Sequence, residues 1–285
     1  MKLRHATGDL ELHRCLVMGI LNRTPDSFYD GGRMDLAASV AHGTAMAAAG
    51  ADLLDIGAIK AGPGDEVSEA EEISRLIPVV ETLAAQGVAV LSVETGRPSV
   101  AEAAIAAGAS IINDVTGLAD PDLAPACGRA GAALVLMHHG GQLRGRPRHP
   151  RYDDVVSDVA GCWERLAESA LEAGVSPEGL VVDPGLDFGK TVWHSLELVR
   201  RLDELVALGR PVLVAPSHKD IVGESLALGL DGRLEGTLAL VALAVLKGAA
   251  IVRVHDVEAS VRTVAMVEAV TGRRRPRAAV RGLWD

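Results

Sequence analysis

The sequence predicts an α/β protein that folds as a single (β/α)8 barrel, or TIM barrel, over residues 1–285, with its active site at the C-terminal ends of the strands. Three observations lead to this prediction. Short apolar runs alternate with longer, Ala-rich amphipathic stretches. Gly recurs between each amphipathic stretch and the next apolar run, as expected where helices end. Polar clusters follow most apolar runs, which is typical of strands that end at one catalytic mouth.

Each element of the barrel can be assigned along the chain. The apolar runs predict strands at 16–21, 52–57, 88–93, 110–113, 133–137, 180–183, 211–215 and 250–254. Helices are predicted at 36–49, 70–85, 98–107, 121–130, 154–173, 193–208, 233–247 and 257–270, with Pro98 and Pro121 at or near first turns. The loop at 138–152 and the basic tail at 272–285 fall outside this alternation and are expected at the surface.

A doubly wound open sheet is the alternative architecture. No G-x-G-x-x-G motif follows the first predicted strand, and polar clusters follow nearly every strand instead of one switch point. Both observations favour the closed barrel.

The composition narrows the class of function. A net charge of -10 argues against a general nucleic-acid binder, which usually needs a basic face. Cys15, Cys127 and Cys162 form no C-x-x-C pair and predict neither a disulfide framework nor a zinc site. The polar N-terminus at 1–11 has no apolar signal core, and no run is long enough to span a membrane. We therefore expect a cytoplasmic protein without a nucleic-acid or membrane partner.

The first predicted strand leads directly into a polar loop. This loop carries Asn22, Asp26 and Asp30, and oxygen ligands of this kind suit Mg²⁺. The same residues could instead form an Asx turn and cap a helix.

Acidic and amide side chains end three further strands. Glu94, Asn113 and Asp183 are placed to converge on one pocket, where they could recognise a heterocycle that presents both donors and acceptors. Each of them could also cap a helix. Their occurrence on three separate strands favours the pocket.

The last two predicted strands end in basic clusters. Ser217-His218-Lys219 follows the seventh strand, and Arg253 and His255 lie at the end of the eighth. Late strands of such barrels often hold a phosphate, which predicts an anion site here. The alternative is an ion pair with Asp256 or a neighbouring carboxylate, but the expected position of these residues at the mouth favours the anion site.

Taken together, these residues resemble the pterin-binding barrel family, and within it the dihydropteroate synthases, over residues 17–267. The resemblance implies a role for each of them. The implied metal ligand is Asn22; the implied catalytic residues are Asp26, Lys219, Arg253 and His255; the implied pterin-binding residues are Glu94, Asn113, Asp183 and Lys219; the implied amine pocket is formed by Phe28, Pro63, Phe188, Ser217 and His218; and the implied pyrophosphate site is formed by Asn22, Arg253 and His255.

The resemblance also implies a reaction. Members join 6-hydroxymethyl-7,8-dihydropterin diphosphate to p-aminobenzoate and release pyrophosphate, as in folate biosynthesis. Mg²⁺ is the implied cofactor, and together with the cationic site it would stabilise the departing pyrophosphate. The implied partners are therefore these small molecules, and a homodimer is expected by analogy.

Three departures from the family pattern are present. The loop after the second strand, roughly Gly-Glu-Ser-Thr/Ser-Arg-Pro-Gly in the family, here runs from Ala58 to Gly64 and keeps only Pro-Gly. His218 replaces Arg in Ser-Arg-Lys, and Glu94 replaces a shorter Asp. These changes lie mainly in the part that would bind the amine, and they resemble divergent actinobacterial-type paralogues. A pterin-binding paralogue with little or no synthase activity is thus the alternative function, and a pterin-dependent methyltransferase is a third.

Overall fold

The computed structural model describes residues 1–22, 36–59, 66–141, 149–278 and 280–281. Its strands, in chain order, are β1 (Lys2–His5), β2 (Gly8–Glu11), β3 (Leu16–Asn22), β4 (Leu53–Gly57), β5 (Val90–Glu94), β6 (Ile111–Asp114), β7 (Ala133–Met137), β8 (Leu180–Asp183), β9 (Leu213–Val214) and β10 (Ile251–Val254). The strands from β3 to β10 are those that the apolar runs predict, with ends that differ by two residues at most.

The described helices follow the predicted alternation. They are α1 (Leu36–Ala48), α2 (Glu69–Gln86), α3 (Pro98–Ala106), α4 (Leu123–Ala130), α5 (Val155–Glu172), α6 (Val192–Arg200), α7 (Leu202–Val206), α8 (Asp220–Leu226), α9 (Leu234–Leu246) and α10 (Val257–Val270). The predicted helix at 193–208 is divided at Arg201 into α6 and α7. The sequence analysis missed α8, because seven residues are too few to show a helical apolar period.

The eight parallel strands form a barrel, which confirms the predicted fold class. Their order is β8-β7-β6-β5-β4-β3-β10-β9, so the last strand of the chain lies between the first barrel strand and β9. The two ends of this sheet meet at a single parallel bridge between Val182 and Val212, where Val182 N donates to Pro211 O at 3.0 Å. The short β9 explains why this seam has so few ladder bonds.

The N-terminal segment closes the lower end of the barrel. It forms the antiparallel hairpin β1–β2, in which Lys2 pairs with Glu11 and His5 with Gly8. Leu3 is fully buried and packs with the apolar residues inside the barrel. The hairpin was not predicted: the segment is polar overall, and Leu3 is one of its few apolar residues.

Side chains that point into the barrel are arranged in an apolar lower layer and a polar upper layer. Leu53, Ile111, Val181 and Ile251 belong to the inner apolar cluster. Two residues further along the same strands lie Asp55, Asn113, Asp183 and Arg253. Because side chains alternate between the two faces of a strand, residues two apart point the same way. The strands therefore hold a row of polar groups above an apolar floor.

The outer faces of the strands pack against the helices in a second core of aliphatic residues, with Trp163 on α5. Local signals begin and end these helices as expected. Ser68 caps α2 by accepting from Glu71 N, and Gly87 ends it in the left-handed conformation. Among the described helices, none has both the length and the apolar character needed to cross a membrane.

Replacement of Leu3 by Ala tests the role of the hairpin. Because Leu3 fills the floor of the barrel, we expect Leu3→Ala to lower the free energy of unfolding by about 2–5 kcal/mol in urea denaturation. Leu208→Ala is the control, since Leu208 is 46% exposed, and its effect should stay within about 0.5 kcal/mol. Equal effects of the two changes would show that the hairpin adds nothing to the barrel core.

Candidate active site

Residues on four neighbouring strands form one rim of the barrel mouth. Asn22 at the end of β3 is in register with Gly57 of β4, Gly57 with Glu94 of β5, and Glu94 with Asn113 of β6. The structure thus places three residues of the sequence prediction at one level of the mouth, which is where active sites of such barrels are found.

A buried ion pair lies at the centre of the mouth. Nε of Arg253 donates to Asp55 Oδ2 at 2.6 Å, and its Nη2 donates to Glu94 Oε2 at 2.6 Å. Asp55, which is fully buried, also accepts from Ser92 Oγ at 2.5 Å and from Asn113 Nδ2 at 2.9 Å. The ion pair with a neighbouring carboxylate, which the sequence analysis gave as the less favoured alternative, is thus present for Arg253. The anion site stays a prediction.

The charges of Glu94 and Arg253 affect each other's pKa. Burial raises the pKa of Glu94, and the Arg253 cation opposes this rise. Burial acts to lower the pKa of Arg253, but the carboxylates of Asp55 and Glu94 outweigh it, so the pKa of Arg253 is raised. Arg253 therefore stays positively charged inside the mouth.

Asn113 and Asp183 offer acceptor atoms to the mouth. Asn113 is 3% exposed, and its Nδ2 is bound to Asp55, yet its buried Oδ1 has no hydrogen-bond partner within the described residues. Asp183 Oδ1 accepts from Gly185 N at 2.7 Å. Burial raises the pKa of Asp183, while nearby Lys219 lowers it. A buried acceptor without a donor is unfavourable, so Asn113 Oδ1 marks a place where a ligand with an N–H group would be stabilised.

Lys219 brings a second cation to the mouth. Its Nζ donates to Leu186 O at 2.9 Å and lies 5.0 Å from the centre of the Phe188 ring, a cation–π distance. Burial lowers the pKa of Lys219, and the carboxylate of Asp183 opposes this. Lys219 is therefore positioned between an aromatic wall and an acid.

The loop after β8 is held by a lysine to which the sequence analysis gave no role. Lys190 is 4% exposed, and its Nζ donates to three carbonyl oxygens: to His138 at 3.0 Å, Gly185 at 2.9 Å and Phe188 at 2.8 Å. Burial lowers the pKa of Lys190 to about 7, although Asp183 opposes the shift. At Gly185 (φ 64°), an added Cβ would lie 2.1 Å from His138 O, so only Gly fits.

Two histidines at the mouth have partners. Ser217 Oγ and His255 Nδ1 are 2.9 Å apart, and Ser217 Oγ also accepts from His255 N at 3.1 Å. His218 Nε2 is 2.6 Å from Asp256 Oδ2. Asp256 thus pairs with His218, not with the Arg253 guanidinium. The positive charge that a protonated His218 would offer is largely offset by this carboxylate.

A cavity of about 620 Å³ opens beside the ion pair. Glu94 and Phe188 line its inner side, and Glu72 and Arg97 line the side next to α2 and α3. Arg97 Nη1 donates to Glu72 Oε2 at 2.8 Å, while Glu72 Oε1 is buried without a partner among the described residues. The volume lies within the usual range for small-molecule sites, about 300–1,000 Å³.

Three predicted site residues, Asp26, Phe28 and Pro63, lie outside the described residues. Asn22 is half-buried at the rim. No group of three or more His, Cys, Asp or Glu side chains suitable for a metal occurs in the described ranges. Mg²⁺ often takes few protein ligands and completes its shell with water and phosphate oxygens, so a rim amide fits a metal carried mainly by a diphosphate.

The sequence analysis missed the centre of the site. Asp55 and Ser92 were taken as strand residues, yet both bind within the ion-pair network. A signal existed: Asp55 is a charge inside the run Leu53-Leu54-Asp55-Ile56, two residues after an inward-pointing Leu. A charge in a buried strand needs a partner, and a partner inside a barrel must come from another strand.

Comparison with known proteins agrees with this geometry, which is that of a barrel with a polar, ligand-binding mouth. The Pterin binding enzyme family matches residues 18–255. The chain belongs to this family. It is 48% identical over 278 residues to the inactive dihydropteroate synthase 2 of Mycobacterium leprae, covering 95% of each chain. It is 40% identical to the dihydropteroate synthase of Escherichia coli, over 94% of this chain and 96% of that one.

Solved structures resemble the barrel over nearly its whole length. The Yersinia pestis dihydropteroate synthase in a sulfonamide complex has a TM-score of 0.91 and 39% identity, covering 96% of this chain and 100% of that one. The Xanthomonas albilineans dihydropteroate synthase in complex with 7,8-dihydropteroate has a TM-score of 0.86 and 41% identity, covering 95% of this chain and 99% of that one. The chain is thus similar both to proteins named dihydropteroate synthase and to proteins named inactive dihydropteroate synthase 2.

Removal of the Arg253 cation should make stability depend on pH. In Arg253→Met the carboxylates of Asp55 and Glu94 stay buried but lose their cation. We therefore expect a loss of about 3–5 kcal/mol in the free energy of unfolding near neutral pH. Burial already raises the pKa of Glu94 above 4.5, and loss of the cation raises it further. The folded state then binds protons more tightly than the unfolded chain. Proton binding by Glu94 therefore stabilises the folded variant. This stabilisation is fully present below the pKa of the unfolded chain and is lost as the pH rises through the pKa of the folded state.

Urea denaturation at pH 5 and pH 8 measures this effect, and the deficit of Arg253→Met should be larger at pH 8. Arg129→Met is the control, because Arg129 forms an exposed ion pair with Glu102, which contributes about 0–1 kcal/mol. A deficit that is the same at both pH values would contradict the coupling between Arg253 and the two carboxylates.

Proposed function

We propose that the chain binds 6-hydroxymethyl-7,8-dihydropterin diphosphate at the barrel mouth and transfers its pterin methylene group to p-aminobenzoate or a related amine, with release of pyrophosphate. The main observation in support of this proposal is the buried Asn113 Oδ1, which has no partner among the described residues. It lies in a mouth that also holds Asp183 and Lys219. A pterin presents both N–H donors and acceptors, and this set offers both in return.

The described residues suggest how the pterin is held. Asn113 Oδ1 and the Asp183 carboxylate accept from ring N–H groups, and Lys219 donates to a ring acceptor. Lys219 already binds a carbonyl and faces the Phe188 ring, so its charge is positioned before the substrate arrives. Positioned charges of this kind contribute to catalysis because they need little reorganisation.

The diphosphate end needs positive charge as the bond to the methylene group breaks. Arg253 uses Nε and Nη2 for its two carboxylates, and neither bond uses Nη1. In this proposal Arg253 and Lys219 attract the leaving pyrophosphate by their charge. His255, whose pKa burial lowers to about 4, offers it a hydrogen bond from a neutral ring, and Asn22 at the rim would hold Mg²⁺ beside it. When bound, the metal supplies further charge stabilisation.

The amine end has fewer charged groups. Phe188 offers an apolar wall and Ser217 a hydroxyl. Phe28 and Pro63 in this pocket, and Asp26 as a catalytic residue, remain proposed from the family resemblance alone. His218 is bound to Asp256 and so provides less positive charge than the family's Arg. One lost charge-assisted hydrogen bond costs about 1.5–3 kcal/mol, or about 10- to 150-fold in rate. We therefore expect slow transfer to p-aminobenzoate.

A pterin-binding protein with little or no synthase activity is the second candidate. The observation that favours it is the loop sequence from Ala58 to Gly64, which lacks the family's Glu, hydroxyl residues and Arg. Relatives at 47–48% identity carry the name inactive dihydropteroate synthase 2. Both candidates share the pterin site and differ in the amine step.

We also propose a homodimer and a cytoplasmic location. Exposed apolar residues gather on the late helices: Leu243 and Leu246 on α9 are 43% and 51% exposed, and Met266 and Val270 on α10 are 61% and 72% exposed. These two helices pack against each other, and large exposed apolar patches often mark subunit contacts.

The decisive experiment measures pyrophosphate release from the dihydropterin diphosphate with Mg²⁺, with and without p-aminobenzoate, and follows dihydropteroate by chromatography. Dihydropteroate formation supports the transferase. Binding of the pterin without product supports the second candidate, and absence of pterin binding in calorimetry rejects both.

Lys219→Ala tests the pterin site within that experiment. Because it removes a charged contact at the barrel mouth, we expect affinity for the pterin diphosphate to fall about 10- to 150-fold. The matched control is Lys247→Ala, since Lys247 forms an ion pair with Asp203 on the outer surface. Unchanged affinity in Lys219→Ala would refute the assignment of Lys219.

Restoration of the family loop tests the amine step. The combined change Ile59→Glu, Lys60→Ser, Ala61→Thr and Gly62→Arg brings back the missing polar groups, and we expect dihydropteroate formation to rise about 10- to 100-fold at equal pterin affinity. The control keeps all of these changes except Gly62→Arg. No gain over the starting protein would place the limit outside this loop.

A further inference from the structure

A second cavity lies at the opposite end of the barrel from the candidate active site. Its volume is about 370 Å³. It is bounded by the start of β3, by α10 and by the basic tail, and its polar lining residues are His13, Arg14, Glu268, Arg273, Arg274 and Arg277. We propose that this cavity binds a small phosphorylated molecule that also carries hydroxyl or N–H donors.

The backbone builds this cavity by turning the tail back over α10. Gly272 has φ 74°, a conformation that favours Gly, and it follows the last turn of the helix. Arg273 N and Arg274 N then donate to Glu268 O at 2.9 and 3.1 Å. These bonds fix the tail against the cavity, so the arginines gather at one point of a chain whose net charge is -10.

The arginines differ in how their charge is used. Arg14 donates to both oxygens of Asp52, so a carboxylate already neutralises it. Arg273, Arg274 and Arg277 form no ion pair with a carboxylate in the described part of the chain, and Arg273 Nη2 reaches only Val245 O, at 3.5 Å. Three guanidinium groups that form no ion pair within the described ranges outnumber the single Glu268 carboxylate that lines the cavity there, and they attract an anion. Arg is well suited to phosphate because its planar group can donate two parallel hydrogen bonds.

Glu268 determines what else the ligand must carry. It is 3% exposed, it lines the cavity, and its Oε1 has no hydrogen-bond partner among the described residues. A bare anion would be repelled by this carboxylate, whereas a hydroxyl or N–H group would satisfy it. The cavity volume lies near the lower limit for small-molecule sites, about 300 Å³, which suits a sugar phosphate better than a dinucleotide.

The site does not depend on the proposed homodimer. The residues of α10 that line the cavity are Val261, Val264, Ala265 and Glu268, whereas Met266 and Val270 carry the exposed apolar surface. The two sets lie on different faces of the helix, since residues three and four apart share a face. A ligand in this cavity therefore leaves the proposed dimer surface free.

Isothermal titration calorimetry in phosphate-free buffer tests the proposal, with ribose 5-phosphate and inorganic phosphate as probes. Arg274→Ala and Arg277→Ala should each weaken ribose 5-phosphate binding about tenfold or more. Arg275→Ala is the matched control, because Arg275 lies in the same tail but does not line the cavity; it should change affinity by less than about twofold. Lys219→Ala should leave this binding intact, which separates it from the active site.

Glu268→Gln tests the donor contact. Loss of the negative charge should leave binding of inorganic phosphate equal or tighter, while the preference for ribose 5-phosphate over phosphate should fall at least about threefold. The proposal is overturned if neither probe gives saturable binding, if Arg275→Ala weakens binding as much as Arg274→Ala does, or if Lys219→Ala abolishes it. An unchanged preference in Glu268→Gln would overturn the role of Glu268.

Discussion

The buried ion pair of Arg253 with Asp55 and Glu94 is the constraint on which the mouth of this barrel depends. A carboxylate inside a barrel is stable only with a cation and with donors for its remaining lone pairs. Asp55 obtains these from Arg253, Ser92 and Asn113. The same bonds join β4, β5, β6 and β10, and Arg253 and Asp55 are 198 positions apart in the chain. The bonds that build the centre of the site therefore also link strands across the interior of the barrel.

The alternation of apolar runs with amphipathic stretches made the barrel predictable. Elements outside that alternation could not be predicted. Strands such as β7 are fully buried runs of apolar residues and give a clear signal. Leu3 is the fully buried anchor of the β1–β2 hairpin in the floor, with Leu10 packed against the same cluster, and so few apolar residues give no clear strand signal. Helix α8 is too short to show a period. Positions at strand ends were found because chemistry was expected there. Asp55 was missed because it lies inside a strand, one layer deeper.

The partner of a polar side chain was harder to predict than its position. The sequence placed Arg253, Asp256 and His218 near one another but did not say which would pair. The structure joins His218 to Asp256 and Arg253 to Asp55 and Glu94. The direction of the side chains explains this pairing. Arg253 lies two residues after the inward-pointing Ile251 on β10, so its side chain also points into the barrel, where it meets Asp55 and Glu94. Register across four strands fixes the pair, and register is not visible in one sequence.

The polar residues of the mouth fall into two groups: those that the fold requires and those that a ligand requires. Asp55 and Arg253 satisfy each other without any substrate, so an inactive protein would need them as much as an active one, and their presence says little about catalysis. Asn113 Oδ1 is different: it stays buried and without a donor among the described residues, which costs free energy unless a ligand supplies an N–H group. The residues that argue for pterin binding are thus those the fold leaves unsatisfied, whereas the role proposed for the loop from Ala58 to Gly64 concerns the amine. A pterin site without a working amine site is physically consistent, because the side chains of Asn113 and Asp183 bind Asp55 and Gly185 and not a described residue of the proposed amine pocket.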